Sequence, residues 1–178
     1  GVSLLQAGFL LSLMQLAGMT LGLAFGVLAD GLGGKRSMLI GLVLLGLASV
    51  LGGLAPGVPA LMALRVLEGF GFLLVVLPAP GLLRQRVPGA QLNLMIGVWG
   101  AYMPFGTAMA LLLGPWCIAA LGWRGWWGLL GAVSLGMAAW LWRAVPAAAP
   151  RDALARTGAS SWLARVRRTL AVPGPWLV

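Results

Sequence analysis

Five apolar runs separated by short polar breaks constrain this chain more than any other feature. They cover roughly residues 4–29, 37–55, 60–83, 94–121 and 125–143. A helix of about 20 apolar residues crosses the ~30 Å hydrocarbon core of a bilayer. A membrane β-barrel would instead alternate polarity over segments of ~10 residues, and the chain shows no such alternation. Lipid offers no partner to a bare N–H or C=O, so apolar runs of this length pair their backbone internally, as helices. The expected fold is all-α: a polytopic membrane helix bundle over 1–143, with five transmembrane helices.

Composition agrees. The chain is 61% hydrophobic and only 8% charged, against about 25% charged in soluble domains, and its mean hydropathy is +0.99. The formal charge of +9 does not point to nucleic acid. The basic residues are scattered between apolar runs with no groove-reading or stacking motif beside them. With one cysteine, Cys117, and no histidine, the chain closes no internal disulfide and builds no zinc site of the Cys/His type. No metal and no cofactor are expected. Three acids and no histidine also leave no general acid–base pair, so an enzyme is not expected. The chain starts at Gly1 inside an apolar run and ends at "PGPWLV". That reads as an internal piece whose partner is the missing remainder of a longer protein.

The positive-inside rule orients the runs. Lys35 and Arg36, Arg84 and Arg86, and then Arg143, Arg151, Arg156, Arg165, Arg167 and Arg168 all fall on one side. Only Arg124 falls in a gap on the other, and Arg65 lies inside the third run. The start of the chain is therefore expected outside and its tail in the cytoplasm, as a multi-pass membrane protein. Trp123, Trp126 and Trp127 mark the outer start of the fifth run, and Trp140 and Trp142 its inner end, where tryptophan favours the headgroup level. The tail, 144–178, reads as a cytoplasmic linker leading into a further span. Within it Trp162, Leu163, Val166 and Leu170 share a helical face beside Arg165, Arg167 and Arg168. That suits either a short basic amphipathic helix on anionic membrane lipid or a solvated linker helix.

Small residues recur every four positions as Gly18, Gly22 and Gly26, and as Gly106, Ala110 and Gly114, ridges that let helices approach closely. Pro104 and the pair Gly114–Pro115 are expected to kink the fourth run, and Pro78 and Pro80 lie near the inner end of the third. Arg65 and Glu68 are the sharpest feature within a run. They stand three apart, so they share a helix face and can pair. Charge at the centre of a membrane helix costs about 2.5–3.5 kcal/mol on insertion scales. Either they form an internal ion pair or they line a polar site for a solute or for protons. Gln15, Tyr102 and Thr107 fall mid-membrane and could line the same path or bond helix to helix.

"GVLADGLGGKRSML", Gly26 to Leu39, places Asp30, Lys35 and Arg36 among glycines. It resembles the signature loop of the major facilitator superfamily, G-x-L-a-D-r-x-G-r-k-x-x-l, through Gly26, Leu28, Asp30, Gly33 and Lys35. Gly31 and Gly34 stand where the family often has arginine. "LMALRVLEGFG" resembles the family's l-x-x-x-R-x-x-q-G-x-g through Leu61, Arg65, Gly69 and Gly71, with Glu68 in the glutamine position. Gly114–Pro115 resembles part of the antiporter motif G-P-x-x-G-G, although Ile118 and Ala119 replace its last glycines, a departure from the exporter pattern. "GWRGWWGLLG" resembles the start of the family's sixth helix. "GVWGAYMPFGTAMALLLGP" faintly resembles the cyanate and nitroimidazole transporter-like branch.

The resemblance implies an incomplete N-terminal half of a transporter, helices two to six plus the central loop. It implies secondary transport of a small-molecule substrate across a bacterial inner (plasma) membrane, uptake or efflux, by alternating access, with protons as a candidate coupling ion. It also implies a cytoplasmic gating latch of Gly26, Asp30, Gly33, Lys35 and Arg36. The other readings are a non-transporting membrane scaffold and an inactive truncated transporter.

Overall fold

In the computed structural model the described residues are 31–146, with isolated helical positions at 5, 8, 9, 12, 16, 22, 26 and 29. Within that range the chain is helical and contains no strand. Five helices follow one another: α1 (Gly34–Gly53), α2 (Val58–Val76), α3 (Ala79–Arg86), α4 (Gly89–Gly100) and α5 (Tyr102–Ala144). Three helical stretches among the described residues are long and apolar enough to cross a membrane: Gly34–Gly53, Val58–Arg86 and Gly89–Ala144. The expected second and third runs map onto the first two of these, while the fourth and fifth fall together in the last. The expected first run, 4–29, and the tail from 147 lie mainly or wholly outside the described residues.

Glycine and proline account for the interruptions. Gly33 precedes α1 with φ 82° and ψ 145°, a conformation that essentially only glycine adopts without strain. Of the glycines in the signature loop, this is the one whose backbone demands the residue type. Pro59 enters α2 in its first turn, where a missing N–H is harmless. Pro104 stands three residues after Ala101, which separates α4 from α5. A proline removes the bond to the carbonyl four residues back and clashes with it, so the helix breaks there. α5 keeps helical dihedrals through Gly114 and Pro115, where the sequence predicts a kink, and its internal break is at Gly122 (φ 69°, ψ 169°), in the gap expected between the fourth and fifth runs and at the first residue of "GWRGWWGLLG". The side chain of Trp126 comes within 3.9 Å of where a Cβ of Gly114 would lie. A straight helix would hold residues this far apart at ~18 Å, so the chain turns back at Gly122.

α1 is the centre of the packing. One side meets α2, where a methyl group added at Gly41 would come within 2.6 Å of the Gly71 carbonyl oxygen. The other side meets the second half of α5, where a methyl at Gly131 would come within 2.7 Å of the Gly46 oxygen. Backbone therefore lies on backbone at both contacts, the way membrane helices gain dispersion contacts that lipid does not supply. These are not the small residues whose four-residue spacing stands out in the sequence. Among the described residues, a Cβ added at Gly22, Gly26 or Gly106 has no neighbour within 4 Å, and one added at Gly114 meets only the Trp126 ring, at 3.9 Å. Spacing shows which helix face is smooth, but not which helix comes to meet it.

Around the glycines, Leu42, Ala138 and Leu141 form a buried cluster with Met38, Leu39, Val75 and Val145 against it. α4 has no buried residue. The first half of α5 exposes Phe105, Leu111, Leu112 and Trp116, as a surface facing lipid or further helices would.

Candidate functional site, a buried charge cluster and a capped helix end

Two groups of polar side chains lie at opposite ends of α1. The first gathers on α1, α2 and the second half of α5. Arg65 Nη1 donates to Glu68 Oε2 at 2.8 Å, with the Arg65 side chain 23% exposed and that of Glu68 only 4%. One helical turn thus brings the pair together, as the three-residue spacing predicts. The Arg65 guanidinium also lies over the Trp127 ring, 4.1 Å from its centroid, within cation–π range. Ser49 Oγ donates to the Trp127 carbonyl oxygen at 3.0 Å and stands beside the Glu68 carboxylate as well. Three of the four residues are close to level: Ser49 lies ~6 Å before the end of α1, Arg65 ~10 Å into α2, and Trp127 ~8 Å beyond the Gly122 break, while Glu68 lies one turn deeper, ~15 Å into α2, at about 1.5 Å of rise per residue. Among the described residues, no buried side-chain nitrogen or oxygen lacks a partner.

The sequence singled out Arg65 and Glu68 as the site. It marked Trp127 only as one of the tryptophans at the start of the fifth run, and a serine in an apolar run has an ordinary explanation, so neither Trp127 nor Ser49 was assigned to the pair. Tyr102 and Thr107 do not join the cluster. Tyr102 is exposed and stacks near Trp99 and Phe72, with centroids at 5.5 and 6.3 Å, and Thr107 is exposed. Gln15 lies outside the described residues.

The second group sits where α1 begins. Ser37, fully buried, donates from Oγ to the Leu74 carbonyl oxygen at 2.9 Å. Lys35 Nζ donates to the Trp142 carbonyl oxygen at 2.9 Å. Both acceptors stand four residues before a proline, Pro78 and Pro146, so neither can receive the usual helical N–H. Residues of the signature loop thus cap two carbonyls that prolines leave open. Arg86 Nη2 adds a third bond at this end, to the Pro146 oxygen at 3.0 Å. A cation here also meets the negative end of the α5 dipole. Arg36 is exposed. Gly26 is a helical position with open space around it. Asp30, the acid expected to pair with Lys35 or Arg36, lies outside the described residues. Among the described residues no cluster of His, Cys, Asp or Glu could hold a metal, and Cys117 is a free, half-buried thiol.

A bundle of apolar helices with a paired charge inside and a basic, capped turn at one end belongs to the polytopic membrane proteins. The family model of the Major Facilitator Superfamily matches residues 1–178, and the chain belongs to that superfamily. The chain is 32% identical over 99 residues to a tetracenomycin C resistance and export protein of Streptomyces glaucescens, covering 56% of this chain and 18% of that protein. It is 36% identical over 102 residues to a puromycin resistance protein of Streptomyces alboniger, covering 56% and 20%. It is 32% identical over 129 residues to a D-xylose-proton symporter-like protein of Arabidopsis thaliana, covering 72% and 23%. The chain thus spans about a fifth of the length of these relatives. No solved structure matches it. None of these three relatives is named as a cyanate or nitroimidazole transporter, and two are named for resistance despite the departures at Ile118 and Ala119.

Proposed function

We propose that the chain forms helices two to six of a proton-coupled secondary transporter that exports lipophilic small molecules from a bacterial cell by alternating access. One observation carries the reading above the rest. A nearly buried carboxylate, Glu68, is held against a guanidinium inside an apolar bundle, in a chain of a transporter superfamily. Intramembrane charges of this kind are expensive and mark solute or proton paths. The resistance and export names of the bacterial relatives favour efflux, and the symporter name of the plant relative favours protons.

In this reading the protein lies in the inner membrane, with the start of the chain outside and the tail in the cytoplasm. The five runs are five spans, the fourth and fifth meeting at Gly122. Arg65 and Glu68 form the polar site. Asp30, Lys35 and Arg36 form the cytoplasmic latch, with Gly33 shaping the turn. Anionic lipid bears on the basic inner face, and the remainder of the transporter completes the cavity.

The test is flux in inverted vesicles carrying the full-length protein, using a fluorescent lipophilic dye. Energised vesicles are expected to accumulate dye, and collapse of the pH gradient should abolish accumulation. Glu68→Gln should do the same without loss of inserted protein. Correct insertion with no flux for a panel of lipophilic and polar solutes would overturn the reading in favour of a non-transporting scaffold.

A further inference from the structure

The charged pair has a neighbour that its own helix does not supply. Glu68 and Arg65 both belong to α2, so a helix moving as a rigid body would carry both and leave their bond intact. Trp127 belongs to α5, and its ring lies 4.1 Å from the Arg65 guanidinium. Its backbone oxygen accepts from Ser49 of α1, which fixes the depth and rotation at which α5 presents the ring. The same hydroxyl stands beside Glu68. A serine hydroxyl has one hydrogen, so it donates either to α5 or to the carboxylate. The other charge near the Gly122 break of α5, Arg124, places its guanidinium over Trp123, 5.2 Å from that ring's centroid. Among the described residues, then, Glu68 is faced by Arg65 from α2 and Ser49 from α1, while α5 acts on it only through the Trp127 stack.

We propose that Trp127 is the positioning residue of the Arg65–Glu68 pair, and that its stack makes the proton occupancy of Glu68 depend on where α5 sits against α1 and α2. With the ring in place, the guanidinium is pinned beside the carboxylate. When α5 slides or rotates, the ring withdraws and Arg65 regains its other rotamers, so the carboxylate loses its fixed counter-charge, an effect that outweighs any new bond from the Ser49 hydroxyl released by the Trp127 oxygen. Helix movement and proton binding are thereby the same event seen from two sides. The inference depends on the proposed transport only for its physiological consequence, because the pair, the stack and the hydroxyl are present whatever the protein carries.

The test reads Glu68 directly, without any substrate. A lipophilic carbodiimide adds to a protonated carboxyl group within the membrane, and mass spectrometry of the full-length protein in lipid vesicles gives the fraction of Glu68 modified. Trp127→Leu is expected to raise Glu68 modification at pH 7 several-fold, and Trp127→Phe to raise it less. Replacement of Trp127 by tryptophans of increasing fluorine content weakens the ring's attraction for a cation while keeping its shape. Modification should climb stepwise along that series. If the fluorinated rings behave as tryptophan while leucine does not, the ring only fills space and the proposal is overturned. It is equally overturned if Trp127→Leu, shown to be folded by a single symmetric gel-filtration peak, leaves modification unchanged. Absence of flux in the vesicle assay alongside a stepwise fluorination response would remove the transport reading and leave this one standing.

Discussion

The hydroxyl of Ser37 donates to the carbonyl oxygen of Leu74, the acceptor that Pro78 leaves without a helical partner. One side chain of α1 thereby stitches it to α2 at the level where proline interrupts the helix. Interhelical hydrogen bonds in membranes contribute about 0.6–2 kcal/mol. Ser37→Ala is expected to destabilise the full-length protein by about 1 kcal/mol, while Ser37→Thr should retain the bond if the added methyl fits. Thermal melts in detergent distinguish the two, and an Ala variant as stable as the parent would show the bond contributes nothing.

Lys35 does the same for the Trp142 oxygen, in a more exposed place. Cations at a helix C-terminus contribute about 0.3–1 kcal/mol. Lys35→Met is expected to speed hydrogen exchange of the Trp142–Val145 amides, with Lys35→Arg close to the parent. Unchanged exchange in the Met variant would mean that water replaces the bond at no cost.

At the α1–α5 contact the limit is steric. A methyl at Gly131 would meet the Gly46 oxygen at 2.7 Å, and one at Gly46 would meet Leu135 at 2.6 Å. Backbone cannot rotate away, so Gly131→Ala should cost about 1–3 kcal/mol. Gly136→Ala, with nothing within 4 Å of its Cβ, serves as the control and should be neutral or stabilising, since alanine is the better helix former. Equal melting temperatures for the two variants would contradict the contact.

Removing one member of the ion pair should be worse than removing both. Arg65→Leu strands a carboxylate that is 4% exposed, whereas Arg65→Leu/Glu68→Leu leaves apolar surface in an apolar bundle. Breaking a fully buried pair costs about 3–5 kcal/mol. The loss here should be smaller, because Arg65 is 23% exposed. The expected order of melting temperatures is double variant above Arg65→Leu, and the reverse order would argue that Glu68 is solvated.

Gly122 holds a conformation nearly closed to other residues. Gly122→Ala should cost about 1–3 kcal/mol in backbone strain. Its effect is expected on insertion and melting alike, measured by the yield of monodisperse protein. A fully folded alanine variant would mean the turn can be made elsewhere.

Much of the helical content was legible without coordinates. Apolar runs of this length have one solution in lipid, and a proline such as Pro104 marks a candidate interruption by removing a donor, although Pro115 leaves α5 helical. Arg65 and Glu68 met because their spacing on one helix is local geometry. The break at Gly122 falls in the gap between the fourth and fifth runs, but the sequence did not say that this glycine's φ is what turns the chain. Tyr102 and Thr107 shared an expected depth with the pair, but depth does not say which way a side chain faces.

By itself the sequence determined what each segment must be: helices, their breaks, a basic turn, and a charged pair within one turn of α2. These follow from backbone pairing in lipid and from the helix repeat, both local. Only the tertiary structure decided who meets whom. It chose Gly41 with Gly71 and Gly46 with Gly131 over the more regular small-residue ridges. It brought Ser37 and Lys35 to the carbonyls opened by Pro78 and Pro146, and it laid Trp127 on Arg65. Those choices depend on shape complementarity between helices far apart in sequence. Lipid gives no hydrophobic reward for one pairing over another, so close backbone approach and a few hydrogen bonds make the selection.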